Sequence, residues 1–267
     1  MGKIEEKLLE DFKKANKVRK ESLARKFGYD SAEEYLKELE TNLFGEVPEA
    51  VVVVEKVIKA KKATVKPTIH IVNLLDNSGS MQGSKFNNAY SAIKQEVVNL
   101  GKEESVNYIY SLYTFKAGNI PSATIVRKNI SNVEIPSISP DYKTPLYATI
   151  GLLANDILAN TVSDDKVLVK IFTDGENNWK RSLEANAIEA IKTLQQQGIT
   201  VTFVGTKEDV SRIQRTFGID ESNTLVHDNT GKGVQEAFEK TRGATQAYTK
   251  NVVAGNDVSR GFYKNIK

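Results

Sequence analysis

Residues 69–80 read Ile-His-Ile-Val-Asn-Leu-Leu-Asp-Asn-Ser-Gly-Ser. The first seven form an apolar run that predicts a buried strand of a parallel sheet. The last five, residues 76–80, place one carboxylate and two hydroxyls at alternate positions directly after that strand. Such oxygens are hard ligands, suited to Mg²⁺ or Mn²⁺ rather than to Zn²⁺ or Cu²⁺. Because Asp, Ser and Gly also form ordinary turns, this stretch alone does not identify a metal site.

Two later segments carry further oxygen ligands. Thr144 lies at the predicted start of a helix over 146–160, and Asp174 follows a second apolar run, 166–172. Strands of an open α/β sheet end at a shared crevice, where such folds bind ligands. We therefore expect five side chains to meet at one cation, namely Asp76, Ser78, Ser80, Thr144 and Asp174.

Together these segments resemble the metal-ion-dependent adhesion site of the von Willebrand factor A (VWA) family, which is written Asp-x-Ser-x-Ser, then Thr, then Asp on successive loops. The resemblance covers residues 66–242. It implies a doubly wound α/β domain whose mostly parallel sheet has one antiparallel edge strand. It also implies that the five side chains hold Mg²⁺ or Mn²⁺ and that an exposed Asp or Glu of a protein partner fills the open coordination position.

Hydrophobic spacing along the chain agrees with strands that alternate with helices. The pattern predicts one hairpin, between the second and third strands, and otherwise parallel crossovers. The predicted strands lie at 69–75, 106–115, 123–126, 166–172, 199–204 and 224–227, and the predicted helices at 85–101, 146–160, 182–197, 207–217 and 233–248.

Three segments lie outside the VWA resemblance. Residues 1–46 predict a helical hairpin with a capping box from Ser31 to Glu34, which we expect to dock on the domain or to mediate self-association. Residues 47–65 predict a linker with an extra strand, and residues 243–267 a C-terminal tail. A basic run in the first segment invites a DNA-binding interpretation. A solvated helix face explains it better, because charge runs are usually solvated and the net charge is only +3. We therefore expect no nucleic-acid partner.

Several residues near the predicted site need a separate interpretation. Tyr142, Glu176 and Trp179 flank it and are predicted to form the rim of a partner-binding surface, with local packing as the alternative. Asn73 interrupts the first apolar run, and we expect it to be hydrogen-bonded in the core. His70 is predicted to be a packed core residue rather than a ligand. The chain holds only two histidines, far apart in sequence, which argues against a histidine-based nucleophilic triad and against an enzyme.

Composition bears on the location of the protein. The chain has no cysteine, and neither a signal-like apolar segment nor a stretch long enough to span a bilayer is evident. We expect a cytoplasmic protein of bacterial or phage type without membrane contact, or a virion-associated protein if its origin is viral.

Two functions compete at this point. The first is a non-catalytic, metal-dependent interaction module, for example an adaptor for an AAA+ ATPase of the MoxR kind. The second is a structural protein of a virus or another large particle, which assembles through the helical extension and the tail. Metal dependence separates the two hypotheses: Asp76→Ala abolishes partner capture by an adaptor and spares assembly by a structural protein.

Overall fold

The computed structural model describes residue 20 and residues 31–36, 66–116, 120–140, 143–161, 165–174 and 177–264. The chain divides into two compact units, Met1–Val65 and Lys66–Lys267. In the first unit, residues 32–36 are helical, and Ser31 Oγ accepts a hydrogen bond from the Glu34 backbone amide at 3.1 Å. That bond is the N-cap half of the predicted capping box. The rest of the predicted hairpin and the extra strand lie outside the described residues.

In the described part of the second unit, six strands alternate with five α-helices in the predicted order. Each strand but one is followed by a helix, and only β2 and β3 are directly joined. The strands are β1 (Thr68–Leu75), β2 (Asn107–Lys116), β3 (Ile120–Asn129), β4 (Lys166–Phe172), β5 (Thr200–Gly205) and β6 (Thr224–Val226). The helices are α1 (Ser84–Leu100), α2 (Leu146–Asn160), α3 (Glu184–Gln196), α4 (Lys207–Phe217) and α5 (Gly231–Val253).

The strands form one sheet in the order β3-β2-β1-β4-β5-β6. Strand β3 pairs antiparallel with β2 at one edge, and all other neighbours are parallel. This confirms the predicted α/β fold with one antiparallel edge strand. From β1 the chain proceeds toward one edge of the sheet, and from β4 toward the other. Strands β1 and β4 therefore flank the topological switch point, where folds of this class bind ligands.

Both faces of the sheet are covered, which explains the continuous apolar runs of the central strands. On one face, Ile69 and Ile71 of β1 share a core with residues of α1 and α5. On the other face, Val72 and Leu74 share a core with residues of α2, α3 and α4. All four β1 side chains are fully buried. This strand is therefore held on both sides, and the loop that follows it begins from a rigid position.

The C-terminal boundary predicted at residue 242 is wrong, because helix α5 continues without a break to Val253. The part of the helix beyond residue 242 buries Ala244, Tyr248 and Val252 against the α1 side of the core. After the helix, Phe262 and Tyr263 are buried in the same core. The aromatic pair of the predicted tail thus belongs to the domain itself.

None of the helices in the described part of the chain combines the length and the apolar composition that a membrane span requires.

Candidate metal centre

Asp76 is the first residue after β1 and is fully buried. Its backbone amide donates to Phe172 O of β4 at 2.9 Å, so the loop leaves the sheet level with the end of the neighbouring strand. Its carboxylate accepts two hydrogen bonds, at Oδ1 from the Ser78 backbone amide (2.7 Å) and at Oδ2 from Thr173 Oγ1 (2.5 Å). The carboxylate is therefore fixed by one bond from its own loop and one from the end of β4.

A chain of hydrogen bonds joins the two serines to the second predicted carboxylate. A 3₁₀ turn at Gly79–Met81 reverses the backbone and brings the hydroxyls of Ser78 and Ser80 to 2.9 Å from each other. Ser80 Oγ then donates to Asp174 Oδ1 at 2.8 Å. Ser80 is exposed, whereas Ser78 and Asp174 are buried. Four of the five predicted ligands thus meet at the ends of β1 and β4, in a site that opens to solvent at Ser80.

Thr144 is placed on a third loop, just before α2, and is buried. Its backbone amide donates to Asn178 Oδ1 at 2.7 Å, and its carbonyl accepts from the Asn178 amide at 3.3 Å. These two bonds attach the Thr144 loop to the loop that follows Asp174. Within the described part of the chain, no hydrogen bond joins the Thr144 hydroxyl to the other four predicted ligands. The threonine is thus positioned through Asn178 rather than through the serine chain.

The charges of the site favour a cation. The pKa of Asp76 is raised to about 6, mainly by burial and to a smaller extent by the neighbouring Asp174, although the hydrogen bonds from Ser78 and Thr173 act in the opposite direction. Two carboxylates and three hydroxyls are the donors that a hard divalent cation prefers. Among the described residues, no group of three or more His, Cys, Asp or Glu side chains could hold a metal. The predicted set differs from such groups because most of its oxygens come from hydroxyls, and its chemistry fits Mg²⁺ or Mn²⁺.

Sequence reasoning missed several residues that build this site. Thr173 and Asn178, described above, are two of them. Asn77 is a third: its amide accepts from Phe115 N (2.7 Å) and donates to the carbonyls of Phe115 (3.0 Å) and Ser139 (2.9 Å), which ties the motif loop to the end of β2. Lys85 is a fourth, because its ammonium contacts Asp174 Oδ2. Thr173 had a local signal, its place in Thr-Asp-Gly directly before the ligand; the other three had none.

Of the three predicted rim residues, the structure describes only Trp179. This residue is half-buried, its carbonyl accepts from Asn177 Nδ2 at 2.6 Å, and the Lys180 ammonium lies 4.5 Å from the centre of its ring. Tyr142 and Glu176 lie outside the described residues. A role of these three side chains in partner binding stays a prediction.

The family model of the von Willebrand factor type A domain matches residues 70–240, more than half of the chain. The protein belongs to the VWA family. The matched region runs from β1 into α5 and contains all five predicted ligands. The VWA domain is a fold of protein-interaction modules. No curated protein matches the chain.

Solved structures of other proteins align with this chain, two of them with a TM-score above 0.5. A mutant of the PilB minor pilin from Streptococcus sanguinis aligns with a TM-score of 0.54 and 11% identity, over 72% of this chain and 64% of that one. The pilus adhesin SpaC from Lactobacillus rhamnosus GG, in an open conformation, aligns with a TM-score of 0.52 and 14% identity, over 72% and 30%. The ArnB paralogue VWA2 from Sulfolobus acidocaldarius aligns with a TM-score of 0.46 and 20% identity, over 65% and 44%. The chain spans less than two thirds of each of these proteins, and at these identities the likeness concerns the fold alone.

Proposed function

We propose that this VWA domain is a non-catalytic interaction module that binds a carboxylate of a protein partner through a divalent metal ion. The observation that carries the proposal is the hydrogen-bonded chain from Ser78 through Ser80 to Asp174, next to the buried Asp76. It gathers hard oxygen ligands from two loops at the switch point of the sheet, with Ser80 exposed. A partner side chain can therefore reach the site from solvent.

All five predicted residues would contribute to holding the ion. Ser78 and Ser80 would bind it directly through their hydroxyls, and Asp76, Thr144 and Asp174 would complete the set. When bound, Mg²⁺ supplies a positive charge with an open coordination position for a carboxylate. Thr173 and the Ser78 amide already occupy lone pairs of Asp76 and thus fix its orientation. The adaptor for an AAA+ ATPase of the MoxR kind stays a hypothesis about the partner.

The surroundings of the two histidines support binding without catalysis. His70 is buried on the other side of the sheet from α1, where its ring contacts Ser111 and Arg127. His227 Nδ1 lies 2.8 Å from the carbonyl oxygen of Asp228. Neither ring contacts Ser78 or Ser80 within the described residues, so neither serine has a histidine base that would make it a nucleophile.

Water-proton relaxation with Mn²⁺ tests the proposal directly. We expect the protein to bind Mn²⁺, and acetate to lower the relaxivity of the complex because a carboxylate replaces metal-bound water. Acetamide, which has the same shape without the charge, is expected to have little effect. Asp76→Ala should abolish Mn²⁺ binding, whereas Asp228→Ala, which removes an exposed loop carboxylate, should not.

Partner capture supplies the second arm of the test. Partners recovered in Mg²⁺ should be lost in EDTA and with Asp76→Ala. If the wild-type protein binds neither Mn²⁺ nor Mg²⁺, or captures the same partners in EDTA, the proposed function is wrong.

A further inference from the structure

Lys85 forms an ion pair with Asp174, one of the two carboxylates that would bind the metal ion. It is the second residue of α1 and follows the last serine of the motif by one short turn. Its ammonium donates to Asp174 Oδ2 and, at 2.9 Å, to Asn229 Oδ1 in the loop between β6 and α5. The Asp174 side chain is 1% exposed and that of Lys85 17% exposed, so water screens this ion pair only weakly.

The start of α1, which carries Lys85, packs closely against the start of α5. Asn88, one turn further along α1, donates to the carbonyl of Gly231 at 2.9 Å. The Ser84 side chain lies so close to the Gly231 backbone that a Cβ on Gly231 would be 2.6 Å from Ser84 Oγ. The start of α1 is therefore locked against the loop that carries Asn229.

We propose that Lys85 is a tethered cation that competes with the metal ion for Asp174 and thereby sets the metal affinity of the site. This inference rests on the proposed function, since it assumes that Asp174 is a metal ligand. Asp76 and Asp174 place two negative charges side by side, and the Lys85 ammonium neutralises one of them. A divalent ion that binds both carboxylates must either displace the ammonium from Asp174 or bear its repulsion at close range. Both cases make the metal bind more weakly than the oxygen ligands alone would allow.

A purely structural role of Lys85 predicts the opposite result. If the lysine only held Asp174 in the orientation that the metal needs, its removal would weaken metal binding. The sign of the change in metal affinity therefore separates competition from positioning.

Isothermal titration of the full chain with Mn²⁺ and with Mg²⁺ measures that sign. We expect Lys85→Gln to lower the metal Kd roughly tenfold or more, the amount by which a charge-assisted hydrogen bond changes an equilibrium. Lys85→Arg keeps the competing charge and should stay within a few-fold of the wild type. Lys232→Gln removes one positive charge three residues beyond Asn229, but its side chain is 86% exposed, so its Kd should not change.

Thermal unfolding provides a readout without metal. In EDTA, Lys85→Gln leaves Asp174 without its ammonium partner and should lower the Tm by roughly 2–4 °C or more. Saturating Mg²⁺ should then raise the Tm of this variant by more than it raises that of the wild type. The same measurement on Lys232→Gln should show neither effect.

Each outcome decides the inference. A Kd that is lower in Lys85→Gln supports it, as does metal binding by this variant when the wild type binds none. A Kd that is unchanged or higher overturns the inference while leaving the proposed function intact. Absence of metal binding in both proteins overturns the proposed function and the inference together.

Discussion

Lys170 and Glu96 form an ion pair that joins the centre of the sheet to helix α1. Lys170 lies in the middle of β4, next to Asn73 of β1 in the sheet, and its side chain is completely buried. Glu96 accepts from the Lys170 ammonium through Oε1 and from Asn73 Nδ2 through Oε2, the latter at 2.6 Å. The same amide nitrogen also donates to the Tyr110 hydroxyl at 2.8 Å. One glutamate thus neutralises a buried positive charge and accepts a hydrogen bond from a buried amide.

Glu96→Ala should therefore be strongly destabilising. The substitution leaves the Lys170 ammonium buried without its partner, and we expect the free energy of unfolding to fall by about 3–5 kcal/mol. Urea denaturation measures the change. Glu189→Ala is the matched control: it removes a helix glutamate whose ion pair with Lys192 is exposed, and should cost under about 1 kcal/mol. Similar losses in the two variants would mean that the buried pair is not a stabilising link.

The Asn73 network also shows where sequence reasoning stops. The interruption of the apolar run was visible, and a hydrogen-bonded core position was expected. The amide nitrogen fulfils that expectation, but Asn73 Oδ1 has no hydrogen-bond partner within the described residues. The partners of the amide nitrogen lie 23 and 37 residues away in sequence. No local pattern connects Asn73 with Glu96, since a glutamate on a helix is usually solvated.

Asp76→Asn should stabilise the metal-free protein at neutral pH. The folded-state pKa of Asp76 is raised, mainly by burial, to about 6, whereas an aspartate in the unfolded chain keeps its ordinary value of 3.8. A raised pKa means that protonation favours the folded state, so the wild type loses this contribution as the pH rises through 6. Asparagine has the same shape and no charge. In EDTA at pH 7 the variant should be more stable by about 3 kcal/mol at most, and the difference should fall below about 1 kcal/mol by pH 4.

Urea denaturation in EDTA across this pH range measures the difference between Asp76→Asn and the wild type. Adding Mg²⁺ should stabilise only the wild type, because the variant lacks the first carboxylate ligand. Asp228→Asn, at an exposed loop position, should show neither effect. A variant that is less stable than the wild type at pH 7 in EDTA would contradict the electrostatic account of this site.

His70 should make the fold sensitive to acid. It is 2% exposed, with Nε2 2.8 Å from Ser111 Oγ and Nδ1 3.2 Å from the Arg127 guanidinium. Burial, together with the Arg127 charge, lowers the pKa of His70 to about 3. Below pH 6.5 the unfolded chain binds a proton that the folded protein does not, so stability falls with the pH. Between pH 7 and pH 5 the wild type should lose about 2 kcal/mol relative to His70→Gln.

Denaturation curves at the two pH values for both proteins measure this loss. His227→Gln serves as the control, because that ring is only half-buried and contacts a backbone carbonyl. Parallel pH dependences of the wild type and His70→Gln would show that another group causes the acid sensitivity. The burial of His70 confirms the expectation that it is a core residue.

The predicted ligands could be found in the sequence because their signals are local. Asp76, Ser78 and Ser80 lie within five residues directly after a buried strand, and Asp174 follows the next apolar run. The residues that position or compete for these ligands carried no such signal. Lys85 contacts a carboxylate 89 residues away, and a lysine at the start of a helix is ordinarily an exposed charge. Only the packing of α1 beside the ends of β1 and β4 shows where its ammonium lies.

Asn178→Ala should weaken metal binding without unfolding the domain. Asn178 exchanges two hydrogen bonds with Thr144, and thus holds the third loop of the site against the loop after Asp174. Without its side chain, the Thr144 amide loses its 2.7 Å partner and the predicted ligand is free to shift. We expect the Kd for Mg²⁺ to rise roughly tenfold, as is typical when a residue that orients a ligand is removed. Isothermal titration measures the Kd, and Asn186→Ala, at an exposed position on α3, is the control. An unchanged Kd in Asn178→Ala would mean that Thr144 does not contribute to the metal centre, and the site would then consist of the four residues that β1 and β4 supply.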